Sequence, residues 1–314
     1  MCIIYGIMIS IVVPLYNEEE SIEALYKEII RFLKGHEFQV LFVDDGSTDR
    51  SLQILQALER KDRRIKIYSF RKNSGKAEAL TFGFQKAKGD CIVTLDADLQ
   101  DKPKEIVKLI KKAEEGSWDV VCGWRKNRND SIGKIFSSKL FNSIASIFWR
   151  LKLHDYNCGL KLYSREAAKS LNLYGGMHRF IPLLAHDQGF TVTEIAVEHD
   201  KRKYGKSKYG FSKIWKDLPD IFTMLFLSKY SQRPFHFFGI VGSFLILMGI
   251  TILGYLTYLR VLGETIGQRP LLFFGMLLVI SGFQLFFTGF LADLIINTSH
   301  KKNKEFFLRY SSEE

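Results

Sequence analysis

Up to Arg125 the chain switches between two hydrophobic rhythms. Near-continuous apolar runs fall at Ile9–Val13, Gln39–Val43, Ile65–Ser69, Cys91–Leu95 and Val120–Gly123. Runs this short and this apolar read as strands buried on both faces of a sheet. Between them the apolar positions recur at helical spacing, over 19–33, 49–60, 75–86 and 103–115. Repeated alternation of strand and helix predicts an α/β domain with an open, mostly parallel, Rossmann-like sheet covered by helices on both faces. The apolar stretch from Cys2 to Leu15 has no basic start and no small-residue cleavage site, and it is too short to span a bilayer. It is therefore assigned to the first strand rather than to a signal peptide. Met8 is an alternative start, with the first seven residues as an unstructured extension.

The rhythm changes again near the carboxyl end. Phe235 to Leu259 and Pro270 to Ala292 contain no Asp, Glu, Lys or Arg over 25 and 23 residues. At about 1.5 Å per residue each covers the roughly 30 Å of bilayer hydrocarbon, which predicts two transmembrane helices. The loop Arg260 to Arg269 carries two Arg and one Glu, whereas Lys229 and Arg233 flank one side and Lys301, Lys302, Lys304 and Arg309 the other. The bias of basic residues toward the inner side then places both termini, and the amino-terminal domain, in the cytoplasm. Between Phe211 and Tyr230, Ile214, Trp215, Ile221, Phe222, Leu225 and Phe226 mix with Lys213, Lys216 and Lys229. An amphipathic segment lying in the membrane interface and a buried core helix both fit that mixture. The expected organisation is an α/β domain over 1–210, a juxtamembrane segment over 211–233, the two helices within 234–300 and a basic tail over 301–314.

Charge refines this picture. The formal net charge is +11, and between Lys201 and Arg233 nine Lys or Arg stand against Asp217 and Asp220. A basic stretch placed directly before the most apolar region suits an anionic membrane surface or a phosphate-bearing lipid. No motif that reads nucleic acid is present, so nucleic acid is not expected as a partner. Cys2, Cys91, Cys122 and Cys158 are far apart with no Cys-x-x-Cys pair, which argues for reduced thiols rather than disulfides or structural zinc.

The candidate chemistry collects where strands end. Cys91 to Leu95 runs into Asp96 and Asp98, and one intervening residue puts both carboxylates on the same side of an extended chain. With Gln100 as a neutral oxygen donor they form a hard site suited to Mg²⁺ or Mn²⁺. Taken alone, the same residues also fit an Asp-rich turn in which Asp98 or Asp101 caps the helix starting near Pro103. Val12-Val13-Pro14-Leu15-Tyr16-Asn17-Glu18 closes the first strand and Phe42-Val43-Asp44-Asp45-Gly46-Ser47-Thr48-Asp49 the second. Tyr16, Glu18 and Asp45 offer the wall and the acceptors that a nucleotide base needs, although each loop alone is an ordinary turn.

Together with Asn73-x-Gly75-Lys76 and Asp96-Ala97-Asp98-Leu99-Gln100, these strand ends resemble a family 2 glycosyltransferase of the GT-A fold. With two carboxyl-terminal membrane helices, the whole chain is similar to the polyprenyl-phosphate glycosyltransferases, which include dolichyl-phosphate mannose synthases and bacterial undecaprenyl-phosphate glucosyltransferases. The resemblance implies that Pro14, Tyr16, Glu18 and Asp45 hold base and ribose. Asp96, Ala97 and Lys76 would lie along the nucleotide sugar, with a solvated Lys76 as the alternative. Asp96, Asp98 and Gln100 would hold the metal that bridges the diphosphate. Arg125, Lys134 and Ser138 match the positions that bind a lipid phosphate in the family, with Lys134 where Arg is common; a basic face resting on headgroups is the other reading of Lys134. His154-Asp155-Tyr156-Asn157-Cys158-Gly159-Leu160-Lys161 resembles the family's Asp-x-x-x-Gly-Phe-Arg segment, with Leu160 and Lys161 in place of Phe and Arg. It makes Asp155 the carboxylate nearest the reacting centre, an orienting group, or a cap. Arg202, Ser207 and Lys208 match a basic loop expected to close on phosphates.

The expected function is transfer of a hexose from a nucleotide sugar to polyprenyl phosphate at the cytoplasmic membrane face, with inversion and a divalent metal. The Asp-Asp-Gly-Ser form of the second motif favours a UDP-sugar, of the UDP-glucose type, over GDP-mannose. A processive polysaccharide synthase would carry a Gln-x-x-Arg-Trp motif, absent here, and a non-catalytic scaffold would not be expected to keep Asp96, Asp98 and Gln100. Homo-oligomerisation is left open.

Overall fold

Among the described residues, seven strands build one sheet: β1 (Met8–Leu15), β2 (Glu37–Asp44), β3 (Ile65–Ser69), β4 (Cys91–Thr94), β5 (Val120–Arg125), β6 (Lys161–Ser164) and β7 (Val192–Val197). Their order is β3-β2-β1-β4-β6-β5-β7. All pairings are parallel except those of β6, which runs antiparallel to both β4 and β5. Helices α1 (Ile22–Phe32), α2 (Ser51–Glu59), α3 (Lys76–Lys86), α4 (Ile106–Gly116), α5 (Arg165–Ser170) and α6 (Ile181–Asp187) cover the sheet. This computed structural model describes residues 8–126, 151–200, 226, 230, 233–267 and 269–299.

The apolar runs behave as two-sided burial requires. Ile11, Val12 and Val13 are three consecutive residues of β1, facing alternate sides of the sheet, and all are fully buried. Helix α1 buries Ile22, Leu25, Tyr26 and Ile29, the i, i+3, i+4, i+7 stripe of a surface helix, against that sheet. Each such aliphatic side chain contributes roughly 1.5–3 kcal/mol on burial. The five expected strands and four expected helices are present within a few residues. β6, β7, α5 and α6 were not expected. Of these α5 is explicitly capped, Ser164 Oγ accepting the Ala167 N–H at 3.2 Å.

The chain divides into two units, Met1–Ile221 and Phe222–Glu314. In the second, α7 (Pro234–Val261) and α8 (Pro270–Ser299) are 28 and 30 residues long and pack against each other. Their contact is built on glycines. A Cβ at Gly242 would lie 2.7 Å from the Gly282 carbonyl oxygen, and one at Gly249 would lie 2.9 Å from that of Gly275. Gly275, Gly282 and Gly289 recur every seven residues on α8, the small-residue spacing that lets helix backbones approach closely in lipid. Phe244, Leu247, Ile250, Leu277, Ile280 and Phe290 face outward, each more than half exposed. A soluble core helix buries such side chains, whereas these two helices are long and apolar enough to cross a membrane and bury little of themselves in protein.

Candidate active site

The carboxyl ends of β1, β2, β4, β5 and β7 and the amino end of β6 meet at one edge of the sheet. The register shows this directly: Leu15 is opposite Asp44, Val12 opposite Thr94, Cys122 opposite Lys161, and Arg125 opposite Val197. In open α/β sheets this edge is where ligands bind. Residues 14–18, 44–49, 95–101, 125, 155–161 and 198–200 all lie along it.

The first two loops are laced together. Asn17 takes the left-handed conformation (φ 55°), which Asn tolerates better than most residues. It donates its backbone N–H to Ser47 Oγ (2.9 Å) and accepts the Thr48 N–H on Oδ1 (2.8 Å). Glu18 donates its N–H to Ser51 Oγ at 3.0 Å. Half-buried Tyr16 and Glu18 are thus carried on a fixed turn next to buried Pro14. The Asp-Asp pair divides its work. Asp44, not among the expected site residues, is buried and accepts the Ser47 N–H (3.0 Å) and the Ser69 hydroxyl (2.6 Å). Asp45 accepts the backbone N–H groups of Ser74 (2.7 Å) and Gly75 (2.8 Å), bonds to a charged acceptor of about 1.5–3 kcal/mol each. That clamp fixes the start of α3 and so the position of Lys76.

At the third strand end the geometry differs from simple strand alternation. β4 stops at Thr94, and residues 97–98 form a turn in which buried Leu99 adopts φ 60°, a conformation costing about 1–2 kcal/mol for such a residue. Asp98, 8% exposed, holds the turn by accepting the Gln100 N–H at 3.2 Å. Asp96 is half-buried and accepts from the Lys76 ammonium at 2.5 Å, with buried Ala97 between the two carboxylates. Burial pushes the Asp96 carboxyl up, but Lys76, with Lys161 adding to it, outweighs burial and holds it below the ordinary carboxylate range. Lys161 is itself buried and donates to the Cys158 carbonyl.

The oxygen donors here fit a hard divalent cation. Among the described residues no cluster of three His, Cys, Asp or Glu could enclose a metal by itself. A site of few carboxylates completed by substrate phosphates is, however, the usual arrangement for Mg²⁺. The space around Asp96 is reserved by Gly159, where a Cβ would lie 2.6 Å from Asp96 Oδ2 and 2.8 Å from Asp101 Oδ2. Gln100 Nε2 donates to the Asp200 carbonyl (3.3 Å) and the Asp200 N–H to the Gln100 carbonyl (2.9 Å), which leaves the amide oxygen of Gln100 to offer a cation. His199 Nδ1 and Asp101 Oδ1 are 3.0 Å apart, and Lys102 bridges Glu198 (3.1 Å) and Asp200 (3.0 Å). The segment leaving β7 is therefore tied along the whole acidic turn.

Arg125 and Asp155, thirty residues apart in sequence, meet as a forked pair. Arg125 Nε donates to Asp155 Oδ2 (2.7 Å) and Nη2 to Oδ1 (3.1 Å), while the Asn157 N–H reaches Oδ1 at 3.1 Å. Asp155 is 2% and the Arg125 side chain 15% exposed. Burial disfavours the guanidinium charge, yet the Asp155 bonds outweigh it and raise the Arg125 pKa further. Lys134, Ser138, Arg202, Ser207 and Lys208 lie outside the described residues.

One group at this edge was missed. His178 lies on the single turn Met177–Arg179, between the short helices α5 and α6, which are too short to show a period. The preceding stretch is moored to α3: Leu173 donates its N–H to Thr81 Oγ1 (2.8 Å), Thr81 Oγ1 donates to the Leu173 carbonyl (3.1 Å), and the Gly175 N–H reaches Glu78 Oε1 (3.2 Å). Burial first, then Lys76 and Arg179, bring the imidazole pKa down to about 3 against the pull of Asp96, so the ring is neutral. Its Nδ1 is buried and has no hydrogen-bond partner among the described residues, a condition that costs about 1–3 kcal/mol.

This sheet order and this edge define a GT-A transferase fold. The glucosyl-3-phosphoglycerate synthase of Mycobacterium tuberculosis, solved with phosphoglyceric acid, superposes with a TM-score of 0.56 over 71% of this chain and 80% of that one, at 20% identity. The same enzyme solved with Mn²⁺ and UDP-glucose gives 0.54 over 71% and 79%, also at 20% identity. The family model Glycosyl transferase family 2 matches residues 10–171. The dodecaprenyl-phosphate galacturonate synthase of Rhizobium johnstonii is 35% identical over 305 residues, 95% of this chain and 90% of that protein. The undecaprenyl-phosphate 4-deoxy-4-formamido-L-arabinose transferase of Photorhabdus laumondii is 35% identical over 292 residues, 91% and 88% of the two chains. The chain belongs to glycosyl transferase family 2, among its polyprenyl-phosphate sugar transferases.

Proposed function

We propose that the protein transfers one sugar from a UDP-sugar to undecaprenyl phosphate or a close polyprenyl phosphate, with inversion at the anomeric carbon. The observation that carries this reading is the gathering of Asp45, Lys76, Asp96, Asp98 and Gln100 at one sheet edge in a chain similar over nine-tenths of its length to transferases named for polyprenyl-phosphate acceptors. Tyr16, Glu18 and Pro14 face the nucleoside, and Asp45 keeps the α3 start in place beneath the diphosphate. Asp98 and the Gln100 amide oxygen would hold the divalent cation, with Asp96 charge-balanced by Lys76 beside it. When bound, Mg²⁺ or Mn²⁺ supplies charge stabilisation for the departing diphosphate.

A lipid phosphate oxygen forms the new bond to the anomeric carbon. The bond from that carbon to the diphosphate breaks, and its electron pair leaves on the nucleoside diphosphate. A phosphate monoester is already anionic near neutral pH, so no strong base is required. Asp155 fits that economy: engaged with Arg125, it aims the guanidinium, whose remaining Nη1 edge is offered to the lipid phosphate. Lys134, Ser138, Arg202, Ser207 and Lys208 are carried forward from the sequence as further phosphate contacts. The two apolar helices hold the enzyme in the membrane that contains its acceptor, a proximity effect, with both termini and the site cytoplasmic.

The test is a panel of UDP-glucose, UDP-galacturonate, UDP-4-deoxy-4-formamido-L-arabinose and GDP-mannose, each with undecaprenyl phosphate and the full chain in detergent. Turnover should be largest with one UDP-sugar and give a single anomer inverted relative to the donor. A preference for GDP-mannose, or retention, would overturn the donor or the stereochemical part respectively.

A further inference from the structure

The neutral, inward-facing histidine on the turn after Gly176 has no task in the scheme above. It is not a core histidine satisfied by its surroundings, because its Nδ1 is buried and unpartnered among the described residues. Nor is its place accidental. The turn is moored through Leu173 and Gly175 to Thr81 and Glu78 on α3, the helix whose first residue is Lys76. Lys76 in turn reaches Asp96, and the charges that act on the imidazole are those of Lys76, Arg179, Asp96 and Lys161. The turn therefore follows a stretch held to the first two turns of α3, the helix that Lys76 opens, and its buried ring nitrogen is left for a ligand bound at that end of the helix.

We propose that His178 is a donor-sugar-binding residue, its buried ring nitrogen hydrogen-bonding an oxygen of the transferred sugar at the Asp96 end of the site. This rests on the donor assignment made under the proposed function. A neutral imidazole carries one N–H and one lone pair, so it meets a hydroxyl as donor or acceptor. A site built to hydrogen-bond a hydroxyl discriminates strongly against a ligand lacking it, because the buried polar group is then left unpaired. His178 should consequently act on the sugar and not on the nucleotide.

The experiment compares binding of UDP alone with binding of the best UDP-sugar of the panel, both in Mn²⁺, to the full chain in detergent. No lipid acceptor is needed. His178→Ala is expected to weaken UDP-sugar binding by roughly 10- to 100-fold while UDP binding stays within about twofold. His178→Gln, which keeps a donor and an acceptor, should recover part of the loss. Equal weakening of both ligands would make His178 a structural residue, and unchanged UDP-sugar binding would remove it from the donor site. Either overturns the proposal. If the Ala variant fails to fold, the Gln variant decides by the same ratio, since an unequal loss supports the proposal and an equal or absent loss contradicts it. Wild-type protein that binds the UDP-sugar but sugars no lipid would sink the acceptor reading and leave this one standing.

Discussion

Asp98→Asn is expected to lower kcat by roughly 10² to 10³ without unfolding the protein. Asn retains an oxygen for the Gln100 N–H at the place where Asp98 now accepts it at 3.2 Å, so the turn around Leu99 should survive. What it loses is the negative charge. Asp96 cannot replace that charge, because Lys76 already neutralises it at 2.5 Å. The measurement is kcat across a Mn²⁺ titration, with thermal unfolding followed in parallel. Wild-type turnover by the Asn variant, in EDTA as well as in metal, would remove the cation from Asp98.

The second large effect is on stability. Arg125→Ala or Asp155→Ala strands one member of a buried, forked ion pair, which typically costs about 3–5 kcal/mol. At about 2–4 °C per kcal/mol for a domain of this size, either variant should melt roughly 6–20 °C lower. Replacing both with apolar residues, Arg125→Met with Asp155→Leu, should recover much of that loss, since apolar substitutes for buried pairs are often neutral. If Arg125 binds the lipid phosphate as proposed, the double variant should nevertheless stay inactive, because the guanidinium is gone. If Arg125→Ala leaves the melting temperature unchanged and only raises the KM for the lipid, the pair is not structural and Arg125 serves the ligand alone.

The parts of this molecule that were legible in the sequence share a physical cause. Strands buried on both faces must be apolar throughout, so β1, β2 and β4 announce themselves, and carboxylates directly after such runs must fall at the sheet edge. That is why Asp45, Asp96, Asp98 and Gln100 could be placed together beforehand. The hidden parts lack such a signature. β6 is four residues long and opens on Lys161, a charge that reads as a strand's end rather than its start. β7 sets Thr193 and Glu194 side by side at the edge of the sheet, so it shows neither an unbroken apolar run nor a clean alternation. Without β6 running antiparallel between β4 and β5, nothing brings Asp155 to Arg125. The sequence therefore offered Arg125 as a phosphate ligand and Asp155 as a carboxylate near the reacting centre, an orienting group or a cap, without showing that the two pair with each other. His178 stayed hidden because one helical turn has no period. The glycine spacing of α8 was in plain view, yet only the opposing backbone shows it to be a contact.

The most direct test is the mass of the lipid recovered after full-length protein in detergent is incubated with undecaprenyl phosphate, Mn²⁺ and the preferred UDP-sugar. Undecaprenyl phosphate heavier by a single sugar residue, with an equal amount of UDP released and neither formed by the Asp98→Asn variant, is the expected result. UDP released alongside free sugar, with the lipid mass unchanged, would contradict polyprenyl phosphate as the acceptor.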